Sequence, residues 1–184
     1  MTGRLIGVVG PSGVGKDTVM QAVASARPGI HLVRRVITRP SKAGGEDFEG
    51  VSEQEFGRRV VRGDFALHWQ AHGLQYGIPR DISDRLSHGQ TALVNLSRAV
   101  LREAQARFPV FSVLSLTARS EVLAARLAGR GRESAEEITR RLARADYALP
   151  EGLTEVVTID NSGTLADTVD AVLKALAPEQ EVTQ

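Results

Sequence analysis

The chain has 184 residues, 42% of them hydrophobic, and a formal net charge of +1. That length and apolar content suffice for one α/β domain with a buried core, while the near-neutral balance excludes a general nucleic-acid or membrane surface. Absence of cysteine excludes disulfides, thiolate catalysis and cysteine metal sites, and without a signal peptide or a run of about 18 apolar residues the sequence reads as a soluble cytoplasmic protein.

The first predicted element is a buried strand over 5–9, Leu5-Ile6-Gly7-Val8-Val9, which runs straight into Gly10-Pro11-Ser12-Gly13-Val14-Gly15-Lys16-Asp17-Thr18. Glycines at that spacing let the backbone curl and turn successive N–H groups inward as an anion nest. The helix that follows, 16–26, points its positive end at the same place. Lys16 adds a mobile full charge for β- and γ-phosphates, so the unit reads as a phosphate-binding loop and the chain as a nucleotide-dependent enzyme. The purely structural alternative is a glycine-rich turn with a solvated lysine. A hydroxyl normally follows that lysine to hold Mg²⁺. Here Asp17 offers a carboxylate oxygen, which a hard octahedral ion accepts; alternatively Thr18 takes the metal and Asp17 favours the helix N-terminus.

A second strand is predicted over 31–37. The segment 40–77 does not read as another βα unit, because Gly44, Gly45, Gly50, Gly63, Gly73 and Gly77 surround one short helix over 53–62. It is expected to be an inserted, mobile subdomain beside the phosphate loop, where an acceptor docks. Arg34, Arg35, Arg39 and Lys42 at its entry suit an anionic acceptor through bidentate contacts, or else form a solvated basic face. His68 and His72 have the i, i+4 spacing of one helix face but no His-Glu-x-x-His metal pattern; they are candidates for acceptor binding.

Helix 80–87, strand 91–96, helix 98–107, strand 110–116 and helix 119–128 follow. Arg126, Arg130, Arg132, Arg140, Arg141 and Arg144 surround Gly129-Arg130-Gly131-Arg132-Glu133. The stretch 129–134 reads as a hinged lid that brings Arg130 and Arg141 to a transferring phosphoryl group; pairing with Glu133, Glu136 and Glu137 in a surface network is the alternative. Helix 135–147, strand 155–159 and helix 165–176 complete the domain, and 178–184 is expected to be a frayed tail. Ser52-x-x-Glu55 and Ser134-x-x-Glu137 are capping boxes at helix starts. Five strands alternating with helices predict an α/β sandwich of three layers around a five-stranded parallel sheet, one domain with core 1–39 and 78–177.

Over nearly the whole chain the pattern resembles the guanylate kinase group of nucleoside monophosphate kinases. The matching residues are the loop 10–16, Ile37-Thr38-Arg39-Pro40, Gly45-Glu46-Asp47-Phe48-Glu49-Gly50-Val51-Ser52, Tyr76-Gly77, Arg126-Leu127, Arg130-Gly131 and Arg141-Leu142. The resemblance implies a P-loop kinase fold, with Arg39 and Tyr76 on the acceptor's phosphate and Arg130 and Arg141 acting from the lid. Positions that read guanine through Ser, Glu and Asp hold Arg35, Leu67 and Ser97 here, and Phe48 replaces a tyrosine. A site stripped of those partners discriminates against guanine.

Those departures are similar to a sister family, the ribose 1,5-bisphosphate phosphokinases of bacterial phosphonate breakdown. The similarity runs through Gly15-Lys16-Asp17-Thr18, Arg35-Val36-Ile37-Thr38-Arg39-Pro40, the segment 66–74, Val94-Asn95-Leu96-Ser97-Arg98, Gly131-Arg132-Glu133-Ser134 and Asp160-Asn161-Ser162-Gly163. It implies ATP and Mg²⁺ as cofactors, with adenine near Asn161 and Ser162. It implies a sugar phosphate as acceptor, held by Arg35, Arg39, His68, His72 and Tyr76, and a monomer or homodimer as the working form. Asn95 stands where the third strand of guanylate kinases ends in an aspartate, and Asp17 is expected to replace that carboxylate. A GMP kinase remains an alternative, as does a non-catalytic protein-binding module, although the latter class lacks the intact loop found here.

Overall fold

A computed structural model describes residues 3–43, 45–131, 134–143 and 148–177. In chain order the elements are β1 (Leu5–Val9), α1 (Lys16–Ala26), β2 (Ile30–Leu32), β3 (Arg35–Ile37), β4 (Phe48–Gly50), α2 (Glu53–Arg62), β5 (Phe65–Ala71) and β6 (Leu74–Pro79). They continue with α3 (Ile82–Ser87), β7 (Thr91–Asn95), α4 (Leu101–Arg107), β8 (Phe111–Thr117), α5 (Ser120–Gly129), α6 (Ala135–Ala143), β9 (Val156–Asp160) and α7 (Leu165–Ala175). β2-β7-β1-β8-β9 form a parallel five-stranded sheet, as expected from the alternation of strands and helices.

The continuous apolar run of β1 follows from its central place, because both of its faces are covered. Leu5 and Val9 face a cluster with Ile82, Leu86, Leu101, Ala104 and the small sheet's Leu67 and Ile78. Ile6 and Val8 face the other layer, built from Val19 and Val23 of α1, Leu123 of α5 and Val169 and Val172 of α7.

The expected strand 31–37 is in fact two strands in two sheets. Val33 N–H donates to Leu93 O at 2.9 Å, the last bond to the main sheet, and the chain then turns away at Arg34. β3 pairs in parallel with β4 and antiparallel with β6, giving a second sheet of order β4-β3-β6-β5. Apolar periodicity reports a strand but not its partner, which is why the break was invisible. The insertion is therefore a sheet that starts within the run first read as one strand, with α2 packed on one face through Phe56 and Phe65, whose rings stack at 4.7 Å.

α2 begins at Ser52, whose hydroxyl accepts from Glu55 N–H at 3.1 Å, and ends at Gly63 with φ 74°. The box at α6 is reciprocal: Ser134 N–H donates to the Glu137 carboxylate at 2.8 Å while Glu137 N–H donates to Ser134 Oγ at 3.3 Å. Among the described residues no helix is long and apolar enough to cross a membrane. The anticipated tail 178–184 and Arg132, Glu133 and Arg144 lie outside the described residues.

Candidate active site

β1 ends at the centre of the main sheet, so the loop that follows opens beyond the carboxyl ends of its strands, where ligands of open α/β sheets bind. Gly13 (φ 85°) and Gly15 (φ 93°) hold the left-handed conformations that the loop requires. A Cβ on Gly15 would also stand 3.1 Å from Asn161 Nδ2, so a side chain there would be both strained and crowded.

Lys16 folds back across this loop and donates from Nζ to Gly10 O at 2.9 Å. Burial pulls its pKa down to about 8; Asp17 and Glu46 oppose that shift, and Arg35 and Arg98 reinforce it. Those four charges identify what surrounds the lysine. A bound polyphosphate favours the protonated form, so binding takes up a proton once the free lysine has begun to lose its own. ADP affinity is therefore expected to be flat below pH 8 and to fall above it, by up to about tenfold per pH unit, in calorimetric titrations between pH 7 and 9.5. A flat profile across that range would contradict the assignment.

On one flank of the loop lies a cleft of ≈ 390 Å³ bordered by Gly13, Gly15, Thr18, Arg126, Arg130 and Asn161. Its floor is tied together. Asn161 Nδ2 donates to Val14 O at 2.7 Å, and its Oδ1 accepts from Thr168 Oγ1 at 2.7 Å. Arg126 donates to Val14 O at 3.1 Å and to Asn161 O at 2.8 Å. Asn161, predicted to touch nucleotide, thus also fastens the phosphate loop to the β9–α7 turn. Ser162 shapes that turn: its hydroxyl donates to Asp160 Oδ1 at 2.5 Å and accepts from Arg119 N–H at 2.8 Å. Asn161→Ala removes two buried hydrogen bonds, to Val14 O and from the Thr168 hydroxyl, although Val14 O keeps Arg126 and the Thr168 hydroxyl keeps Thr164 O. It is expected to lower unfolding free energy by about 1–3 kcal/mol in urea titrations, and a change within error would contradict the fastening role.

On the other flank the small sheet presents one face. Arg35, Trp69 and Tyr76 share it, with the Arg35 guanidinium 5.0 Å from the centre of the Tyr76 ring and 5.9 Å from that of Trp69. Arg35 pairs with both carboxylate oxygens of Glu46, from the loop before β4. Arg39 lies over the Phe48 ring at 4.4 Å. Asn95, at the end of β7, donates from Nδ2 to Asp17 Oδ1 at 3.5 Å. Asp17 therefore faces β7, whereas Thr18 borders the opposite cleft, so the two expected metal ligands diverge.

The structure does not gather every expected residue. His68 lies on β5, not a helix, one register step from Trp69, and points to the opposite, exposed face near Phe65. His72 sits in the β5–β6 turn with φ 51°. Arg34 turns outward to Asp47 at 3.0 Å. Arg130 borders the ≈ 390 Å³ cleft from the end of α5; Arg141 is on α6 with its side chain outside what is described, and part of the expected lid 129–134 is outside too. Sequence reasoning gave no site role to Glu46 and Arg98, and placed Arg126 in the arginine cluster of the lid, whereas it ties the phosphate loop to the β9–α7 turn. The first two carry charge within reach of Lys16, and their signal was present in the quoted segments, but nothing local marks a residue that acts through a partner on another element.

A glycine-rich anion nest with a buried lysine, flanked by a cleft on one side and fixed arginines on the other, offers places for two phosphorylated ligands end to end. Among the described residues no cluster of three His, Cys, Asp or Glu could hold a metal ion unaided, so a cation bound here would need ligands from phosphate and water.

Comparison with known proteins agrees with this arrangement. The guanylate kinase family matches residues 2–178. The chain is 62% identical to ribose 1,5-bisphosphate phosphokinase PhnN of Ruegeria sp. (strain TM1040), over 89% of this chain and 86% of that protein. It is 48% identical to the protein of the same name from Brucella melitensis biotype 2, over 95% and 92% respectively. In three dimensions it is similar to guanylate kinase from Anaplasma phagocytophilum, with a TM-score of 0.68 at 19% identity, over 99% of this chain and 88% of that one. That likeness shows the fold. Taken with the phosphate loop and the arginine-bearing small sheet, these matches establish that the chain belongs to the guanylate kinase family, in the branch of the ribose 1,5-bisphosphate phosphokinases.

Proposed function

We propose that this protein transfers the γ-phosphoryl group of ATP to the 1-phosphate of ribose 1,5-bisphosphate, giving 5-phosphoribosyl 1-diphosphate and ADP. The observation that carries the reading is the pairing of an intact phosphate loop with a small-sheet face where a cation and two aromatic rings fill the space beside Lys16, in a chain 62% identical to a protein of that name.

In the reaction an anionic oxygen of the acceptor's 1-phosphate attacks the γ-phosphorus in line, and the bond from that phosphorus to the β–γ bridging oxygen breaks. ADP carries the electron pair away. The attacking oxygen is already ionised near neutral pH, so no general base is needed. Catalysis consists of positioning and charge stabilisation. Lys16 leaves Gly10 O for the β- and γ-oxygens. Arg39, Tyr76 and Arg98 hold the acceptor's phosphates, with Arg35 behind them, and Arg130 and Arg141 approach from the lid.

The donors present fit Mg²⁺, which keeps water and substrate oxygens and accepts one or two carboxylates. Asp17 would hold it, oriented by Asn95. When bound, the ion neutralises charge on the β- and γ-oxygens. Phosphonate breakdown in the cytoplasm is the setting that this reading supports.

A GMP kinase is the second reading, favoured by the family-wide match and the shared fold. An ADP-release assay with ribose 1,5-bisphosphate, GMP and AMP as acceptors separates the two. Turnover with the bisphosphate at least 100-fold above that with either nucleotide is expected; preference for GMP would overturn the proposal.

A further inference from the structure

Aromatic rings at the mouth of a nucleotide-handling site are natural platforms for a base, since every nucleobase has a face to stack and each such contact raises affinity by about 10- to 100-fold. Trp69 and Tyr76 form such a ring pair on the small-sheet face, with Trp69 only 8% exposed at the edge of the core and Tyr76 half-buried against it. Their rings are stacked at 5.4 Å with 10° between planes, on the small-sheet face that also carries Arg35. The platform is covered, because the Arg35 guanidinium lies against both rings.

The cover is fixed in place. Arg35 is a planar fork that stacks and pairs at once, and its side chain is only 6% exposed, so its charge requires a partner. Glu46 provides it through both oxygens and is itself 16% exposed, closing the pair from the outer side. The remaining N–H groups of Arg35 have no hydrogen-bond partner among the described residues.

We propose that Arg35, locked by Glu46, is the residue by which this site rejects nucleobases: its guanidinium occupies the slot against Trp69 and Tyr76 in which a base would stack, leaving room only for a base-free acceptor. The inference deepens the proposed function and takes from it that the small-sheet face is the acceptor side. It goes further in assigning exclusion to one stacked, clamped cation instead of to missing hydrogen-bond partners.

Trp69 is the single tryptophan of the chain, so its emission, excited near the red edge of its band, reports directly on what lies against its ring. GMP is titrated without ATP into the wild-type protein, Arg35→Ala and Glu46→Gln, with circular dichroism confirming that each is folded. The wild type is expected to show no saturable quenching up to millimolar GMP. Arg35→Ala is expected to show saturable quenching with at least tenfold tighter binding, and Glu46→Gln a smaller gain because its arginine is loosened, not removed. Should Arg35→Ala fail to fold, Glu46→Gln decides alone. Saturable quenching of the wild type, or folded variants that bind GMP no more tightly than wild type, would overturn the inference. Wild-type turnover of ribose 1,5-bisphosphate is measured separately: its absence alongside a gain of GMP binding in Arg35→Ala would refute the proposed function and leave the cover over the rings standing.

Discussion

Lys16→Met is expected to lower kcat/KM by about 10³-fold while leaving the protein at least as resistant to heat as the wild type. The lysine is the one cationic side chain of the phosphate loop, and removing a single preorganised donor from a developing phosphoryl charge costs about 10²–10³ in rate; loss of ground-state binding to the β-phosphate adds to that. Stability moves the other way. Burial holds the Lys16 pKa down at about 8, which means that the folded protein disfavours its charged form. Methionine keeps the stem and removes that charge, at the loss of the bond to Gly10 O. Steady-state kinetics and a Tm measurement on the same preparation check both halves. Activity within tenfold of wild type would show that phosphate is held elsewhere.

Asp17→Asn produces the second large effect, and its sign depends on the metal. With Mg²⁺ at 1–2 mM, kcat is expected to fall by about 100-fold, and the Mg²⁺ concentration for half-maximal rate to rise, because a neutral amide is a poor ligand for a hard cation. Without metal the same substitution is expected to tighten ADP binding several-fold, since a carboxylate beside the loop repels phosphate. The Mg²⁺ arm distinguishes a metal ligand from a residue that merely supports the helix, whose replacement would leave the Mg²⁺ titration unchanged, whereas relief of repulsion is expected in either case. Calorimetry with and without Mg²⁺, together with a Mg²⁺ titration of rate, measures the pair. An unchanged Mg²⁺ titration would refute the role.

The parts of this molecule that were legible in the sequence are those whose cause is local. The phosphate loop declares itself because its glycines, lysine and flanking strand and helix occupy one stretch of 5–26, and α1 begins at Lys16 as expected. The helix starts at Ser52 and Ser134 are read from four residues each; Ser134 forms the full capping box, whereas at Ser52 only the hydroxyl half forms and the Glu55 carboxylate pairs with Arg58 and Arg59. What was hidden depends on pairing between distant segments. The division of 31–37 between β2 and β3 is decided by β6, some 40 residues later, which draws Val36 and Ile37 into its own ladder. The same pairing explains His68. Helical spacing made it a neighbour of His72, but in a strand it alternates away from Trp69 and faces outward. Asn161 shows a third case, in which a residue picked for ligand binding has its side chain engaged by Val14 O and Thr168.

The central claim is the identity of the acceptor, and phosphorus NMR of the purified protein with ATP, Mg²⁺ and either ribose 1,5-bisphosphate or GMP tests it most directly. The account predicts coupled diphosphate resonances growing at the sugar's C1 in step with ADP, while GMP stays unchanged over the same time. Conversion of GMP to GDP with the bisphosphate left intact would contradict it, and would make the small-sheet face a base-binding site after all.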